Sequence, residues 1–181
     1  MIQYKIVATR EQVSDMIKQI AARIAHDNQT ASPLFVALLR GAAPFSSRLM
    51  FELTKQAPNL HPEIDYMMVS TYCGGKTPGE PHIVTDLAPD TVVKDRPVIV
   101  IDDVLDKGVT ANFVFNHLKM RGASSVALAV LAQKKVEQVY PITADYCGFT
   151  FGNEWLVGMG MDDAETGVEA YRWLHEIRAK V

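Results

Sequence analysis

The chain has 181 residues, 48% of them apolar and 22% charged, with a formal net charge of −3. That size buries one sizeable core in a single domain, and the ordinary apolar and charged fractions exclude a disordered or fibrous chain. The slight acidity argues against a broad attraction to nucleic acid or anionic membrane, so any phosphate binding has to be local.

The N-terminus lacks the basic-then-apolar order of a secretion signal, and no stretch has the length of a transmembrane helix. Thr9-x-x-Gln12 reads as a capping box, followed by Val13, Ile17, Ile20 and Ile24 at helical spacing, which predicts an amphipathic helix over 9–27. A buried strand is expected at 34–39, a helix at 42–57 and a strand at 64–71. The run from Gly74 to about Pro89 reads as a Gly/Pro-rich loop, and its first part, 74–79, is long enough for a lid. The two cysteines, Cys73 and Cys147, have neither metal spacing nor the density of a disulfide framework, which makes the cytoplasm the default location.

The most informative segment is 98–110, VIVIDDVLDKGVT. Val98, Ile99, Val100 and Ile101 are continuous and β-branched, as in a strand buried on both faces of a parallel sheet. Asp102 and Asp103 follow at its carboxyl end, where open α/β sheets place their ligands. The turn from Asp106 through Lys107 and Gly108 to Thr110 then opens a helix at 110–121, with Ala111, Val114, Phe115 and Leu118 inward and Gly122 as its stop. A glycine-containing turn at a helix N-terminus offers free N–H groups and the positive end of the dipole to a phosphate. Gly108 is expected to let the backbone approach the anion, with Thr110 adding a hydroxyl and Lys107 either a charge or an outward-pointing side chain. The spacing is neither that of a P-loop nor that of a dinucleotide fingerprint. A strand at 125–132 follows. Alternating strands and helices predict an α/β fold, a parallel sheet flanked by helices on both faces. Tyr171, Leu174 and Arg178, with Trp173 and Ile177, predict a final amphipathic helix.

Segment 98–110 resembles the phosphoribosyl-pyrophosphate motif of the type I phosphoribosyltransferases: four apolar residues, two acids, two apolar residues, then Asp-x-Gly-x-Thr. Further segments resemble the hypoxanthine-guanine branch of that family, over roughly residues 34–163: LFVALLRG at 34–41, IDYMMVSTY at 64–72 and GFTFGNEWLVGMGMD at 148–162. The resemblance implies one phosphoribosyltransferase domain, its core about 30–144 and a small hood subdomain from about 1–29 and 145–181. It implies purine salvage: hypoxanthine or guanine plus phosphoribosyl pyrophosphate gives IMP or GMP and pyrophosphate, with Mg2+ as cofactor. The implied partners are these small-molecule substrates and further copies in a homodimer or homotetramer, with no nucleic acid and no membrane.

Carried over residue by residue, the resemblance makes Asp106 the general base at purine N7. It puts Asp102, Asp103, Asp106, Lys107, Gly108, Val109 and Thr110 around the ribose and 5′-phosphate, and Leu39, Arg40 and Gly41 in a pyrophosphate loop of unusual backbone. Thr71 and Tyr72 fall at the mobile loop. Lys134, Trp155, Leu156 and Asp162 fall around the purine, where the lysine donates to the exocyclic oxygen, the ring stacks and the Leu156 main chain reads the base edge. Asp102, Asp103 and Asp162 are the implied metal ligands. The chain departs from the family at Lys107, Lys135, Asp163 and Val168. At position 168 the family has an arginine that binds pyrophosphate, for which Arg172 can substitute only if the loop from 163 to 169 holds an insertion. Two other readings stand beside this one, a xanthine-preferring transferase and a nucleotide- and RNA-binding regulator on the same fold. The acidic balance counts against the regulator.

Overall fold

The computed structural model describes residues 3–72, 78–163 and 167–181, the side chains of Tyr72 and Pro78 excepted. In chain order the elements are β1 (Tyr4–Ala8), α1 (Arg10–Asp27), β2 (Leu34–Leu39), α2 (Ala43–Gln56), β3 (Glu63–Tyr72), β4 (Pro78–Thr85), β5 (Pro97–Leu105), α3 (Val109–Met120), β6 (Ser125–Lys134), β7 (Tyr146–Phe151), β8 (Leu156–Val157) and β9 (Ile177–Lys180). Six strands form the main sheet in the order β4-β3-β2-β5-β6-β7, parallel except for the antiparallel edge strand β4. A second, three-stranded sheet has the order β1-β9-β8.

The continuous apolar runs fill both faces of the main sheet. Phe35, Ala37, Ile99 and Ile101 pack under α1 and α2 with Ile17, Ile20, Phe45 and Leu49. Their neighbours Leu34, Val36, Val98 and Val100 pack on the other face with Val114 and Leu118 of α3. The expected architecture is therefore the one observed. Thr9 caps α1 through a complete capping box with Gln12, and Val13, Ile17, Ile20 and Ile24 are fully buried. Gly122 stops α3 with φ +88°. Among the described residues no helix is long and apolar enough to cross a membrane.

Three expectations need correction. The stretch 74–89 is not all loop, because β4 occupies 78–85 and pairs antiparallel with β3, Val69 opposite Ile83 and Ser70 opposite His82. Pro78 and Pro81 argue against an interior strand, but β4 is at the edge, where a missing N–H is tolerated. The lid expected at 74–79 has residues 74–77 outside the described residues.

The second correction concerns the C-terminus. In place of a final amphipathic helix there is a 3-10 turn, Glu169–Trp173, and then strand β9. Ile177 and Ala179 are buried while Arg178 and Lys180 are partly exposed, a period of two that pairs with β1 and β8. The third concerns the hood. α1 packs against α2 and β7, and β7 extends the main sheet beside β6, so the small sheet consists of β1, β8 and β9 alone. The segment 148–162, which carries part of the family resemblance, is split between β7 in one sheet and β8 in the other.

Candidate active site

β2 and β5 are adjacent and parallel, yet β2 leads to α2 on one face of the sheet and β5 to α3 on the other. Their divergence opens a crevice at the carboxyl edge, the place where such sheets bind ligands. Two adjoining cavities of ≈ 360 and ≈ 480 Å³ lie there, sharing Thr71, Asp102, Val104, Asp106, Thr110 and Trp155 in their walls.

One end of the crevice is built from the turn after β2. The Leu39–Arg40 peptide is cis. Leu39 and Gly41 line the smaller cavity, whereas the Arg40 side chain is exposed and does not line it. Gly41 lies so close to Asp103 that a Cβ there would come within 2.6 Å of Asp103 Oδ2. Gly160, at φ +107°, packs on the same turn, since its missing Cβ would fall 1.7 Å from the Gly41 carbonyl oxygen.

Asp102 and Asp103 stand between the two ends. Asp102 Oδ1 accepts from Asp103 N at 3.0 Å, and Asp103 Oδ1 accepts from Val104 N at 2.8 Å. Burial, and then the charge of Asp103, push the Asp102 carboxyl well above the ordinary aspartate range. Burial raises Asp103 as well, against the pull of the nearby Arg172 guanidinium. Two carboxylates held in a low dielectric favour a hard cation with oxygen ligands. Among the described residues no group of three or more His, Cys, Asp or Glu side chains converges on a metal position, so a cation here would complete its shell with ligands from outside the protein.

At the other end Gly108 caps α3 with φ +77°, and no side chain caps the helix. The vacant Cβ position of Gly108 faces the Tyr140 carbonyl, 2.3 Å away, and not the cavity. The glycine therefore serves close packing of the turn on segment 139–142, and it also lines the larger cavity. The Lys107 carbonyl accepts from Val139 N at 2.9 Å, which braces the same turn, and the Lys107 side chain is exposed. The larger cavity is lined by Lys107, Gly108, Val109 and Thr110.

The roof comes from the ends of β6 and β8. Lys134, the last residue of β6, is buried, with Nζ 3.5 Å from Asp106 Oδ2 and 5.5 Å from the centroid of the Trp155 ring. Trp155 is 41% exposed and fixed by its Nε1, which donates to the Asp162 carbonyl at 3.0 Å, so it is a cavity wall and not a core aromatic. Leu156 is buried beneath it. Lys135 points to solvent.

The structure thus brings together all the residues singled out from sequence except Arg40, whose side chain stands apart, and Tyr72, whose side chain lies outside the described residues. It adds Val69, Val104 and Met161 to the cavity walls, and Arg172, the candidate substitute for the arginine absent at 168, lines them too. Arg172 donates to Asp162 Oδ2, the Gly160 carbonyl and Glu169 Oε2, each at 2.6 Å. Val168, at the position of the expected arginine, is exposed, and Asp163 is buried. Gly160 and Met161 fall within the segment 148–162, but the contact of Gly160 with Gly41 has no signature in sequence.

Comparison with known proteins agrees with this geometry. The phosphoribosyl transferase domain model matches residues 3–164. A hypoxanthine-guanine phosphoribosyltransferase of Streptococcus mutans is 37% identical over 162 residues, 89% of this chain and 86% of that protein. The chain belongs to the phosphoribosyltransferase family, in its hypoxanthine-guanine branch. Among solved structures of that family, a hypoxanthine phosphoribosyltransferase of Staphylococcus aureus superposes with a TM-score of 0.85 at 29% identity, covering 98% of this chain and 91% of that one. A Bacillus anthracis hypoxanthine-guanine phosphoribosyltransferase gives 0.84 at 26% identity with both chains fully covered. The acidic pair on β5 and the turn that opens α3 lie within the residues matched by the family model.

Proposed function

We propose that this phosphoribosyltransferase joins hypoxanthine or guanine to phosphoribosyl pyrophosphate, releasing pyrophosphate and the purine nucleotide. The observation that carries the reading is the pairing of Asp106 with Lys134 beside the Trp155 ring, in a cavity that continues to the phosphate-type turn of α3. A 6-oxopurine presents to such a pair an N7–H for the carboxylate and an exocyclic oxygen for the ammonium. A 6-aminopurine has no acceptor to offer there and sets an amine against the ammonium instead.

With the purine on Trp155, Asp106 accepts the N7 proton as N9 attacks the anomeric carbon. Lys134 donates to the exocyclic oxygen, and main-chain groups of Leu156 read the base edge. The turn from Asp106 to Thr110 holds the 5′-phosphate. The 39–41 turn, with Arg172 from the far wall in place of the arginine absent at 168, holds the leaving pyrophosphate. The transition state has oxocarbenium character, so the Asp102 and Asp103 carboxylates stabilise charge at the ribose. Their buried, cation-favouring environment fits Mg2+, which these two carboxylates would hold with ligands from outside the protein; Asp162, expected as a third ligand, is instead paired with Arg172 and among the described residues does not converge with them on a metal position. When bound, the ion neutralises the departing pyrophosphate.

The test is steady-state turnover with phosphoribosyl pyrophosphate, Mg2+ and a panel of hypoxanthine, guanine, xanthine, adenine and uracil, for the wild type and Asp106→Asn. The expected result is turnover with hypoxanthine or guanine, lost on chelation, and a kcat for Asp106→Asn lower by about 10²-fold or more with phosphoribosyl pyrophosphate affinity retained. No turnover with any purine would overturn the reading.

A further inference from the structure

The two walls of the larger cavity belong to different parts of the fold. Thr71 is near the end of β3, and Gly108, Val109, Thr110 and Ala111 open α3. β3 is paired with β2 only as far as Met68, opposite Leu39. Beyond that point, among the described residues, β4 is the one strand paired with it, so the backbone from Val69 to Thr71 is tied into the sheet through β4, although the Val69 side chain also packs on the core.

A polar brace anchors the foot of β4. Asp86, the residue after β4, has its two carboxylate oxygens 3.1 and 3.0 Å from His117 Nε2, and Oδ1 accepts from Arg121 Nη1 at 3.1 Å. Its Oδ1 also accepts from Leu87 N at 2.8 Å, which fixes the carboxylate's direction. His117 lies in the last turn of α3 and Arg121 at its C-cap. A second tie runs beside the first. Asp65 on β3 accepts from Thr91 Oγ1 at 2.6 Å and Ala88 N at 2.8 Å, and Arg121 Nη2 reaches the Thr91 carbonyl at 3.5 Å. α3 is a rigid rod of 12 residues, about 18 Å long. Its far end is tied to the β3–β4 ribbon while its near end forms the phosphate turn.

We propose that Asp86 is a positioning residue: by tying the β3–β4 ribbon to α3 it sets the distance between Thr71 and the 108–110 turn, and with it the enzyme's affinity for the phosphorylated sugar. The inference rests on the function proposed above for this cavity. Asp86 is far down the helix from the reacting atoms and touches no substrate. Leu87 and Val93, 5% and 3% exposed, anchor the crossover from β4 to β5 in the core independently of the carboxylate, so its removal loosens the ribbon without unfolding the connection.

The experiment compares wild type, Asp86→Ala and Asp86→Asn by steady-state kinetics and by amide hydrogen exchange at Val69, Ser70 and Thr71. Asp86→Ala is expected to raise the KM for phosphoribosyl pyrophosphate about tenfold, with the purine KM and kcat within about twofold of wild type, and to speed exchange at the three amides. Asp86→Asn, which still offers an oxygen to Leu87 N and Arg121, is expected to restore most of both. A lower Tm with unchanged KM and unchanged exchange would make Asp86 merely structural and overturn the proposal. Equal rises in both KM values would do the same. Failure of the wild type to turn over any purine would instead remove the proposed function, and the exchange rates would still decide whether the brace holds the ribbon.

Discussion

Gly160→Ala tests the idea that the hood shapes the pyrophosphate end of the site. Gly160 is at φ +107°, where a β-carbon is strained by about 1–3 kcal/mol whatever its surroundings. The new Cβ would also fall 1.7 Å from the Gly41 carbonyl oxygen, and contacts below 3.0 Å are not sustained, so one of the two turns has to retreat by about 1.3 Å, the difference between those distances. Gly41 cannot retreat towards the cavity, because Asp103 already lies against it. The yielding element is therefore the turn at 158–161, with Met161 and the Gly160 carbonyl that anchors Arg172, or the 39–41 turn as a whole. A misplacement of about 1 Å in a positioning element costs on the order of 10²-fold in rate. The expected loss is of that order in kcat/KM for phosphoribosyl pyrophosphate, with a smaller effect on the purine KM. The accompanying fall in Tm is about 2–4 °C for each kcal/mol of strain. The assay is initial velocity against each substrate at a temperature where circular dichroism shows the variant folded. A folded variant with wild-type kcat/KM for phosphoribosyl pyrophosphate would refute the claim that this contact shapes the site.

Two further outcomes follow from the site. Because the folded-state carboxyl of Asp102 is raised, its contribution to stability is fully present below the unfolded aspartate pKa and is lost as pH rises through the folded value. In chelator the stability of the wild type should therefore fall relative to Asp102→Asn as pH rises above the ordinary aspartate pKa of about 3.9, by at most about 1.4 kcal/mol per pH unit for one proton. Parallel denaturation profiles for the two proteins would contradict this. Lys134→Ala should narrow the preference for hypoxanthine over adenine by about tenfold or more, since the donor that distinguishes an oxygen from an amine at C6 is gone. An unchanged ratio of kcat/KM values would place Lys134 outside the base site.

What was legible in the sequence was what depends on neighbours along the chain. The capping box at Thr9 and Gln12, the apolar runs of β2 and β5, the acidic pair that ends the latter and the turn into α3 each express themselves within about a dozen residues, because helix periodicity, strand burial and anion-binding turns are local properties. The resemblance carried by those motifs was enough to place the chain in its family.

Only the tertiary structure decided the rest, and the reason is that pairing energy between distant segments leaves no periodic trace in either. β9 is a strand because β1 and β8 pair with it, although its own four residues cannot be told from the end of a helix. β4 tolerates two prolines because it lies at an edge, a position that exists only once the sheet has assembled. Arg172 reaches the site although it is ten residues past Asp162, because the 3-10 turn at Glu169–Trp173 returns it to that carboxylate and to the Gly160 carbonyl. The contact of Gly160 with Gly41 joins residues over a hundred positions apart, where a missing Cβ on one turn is the space taken by the carbonyl of another.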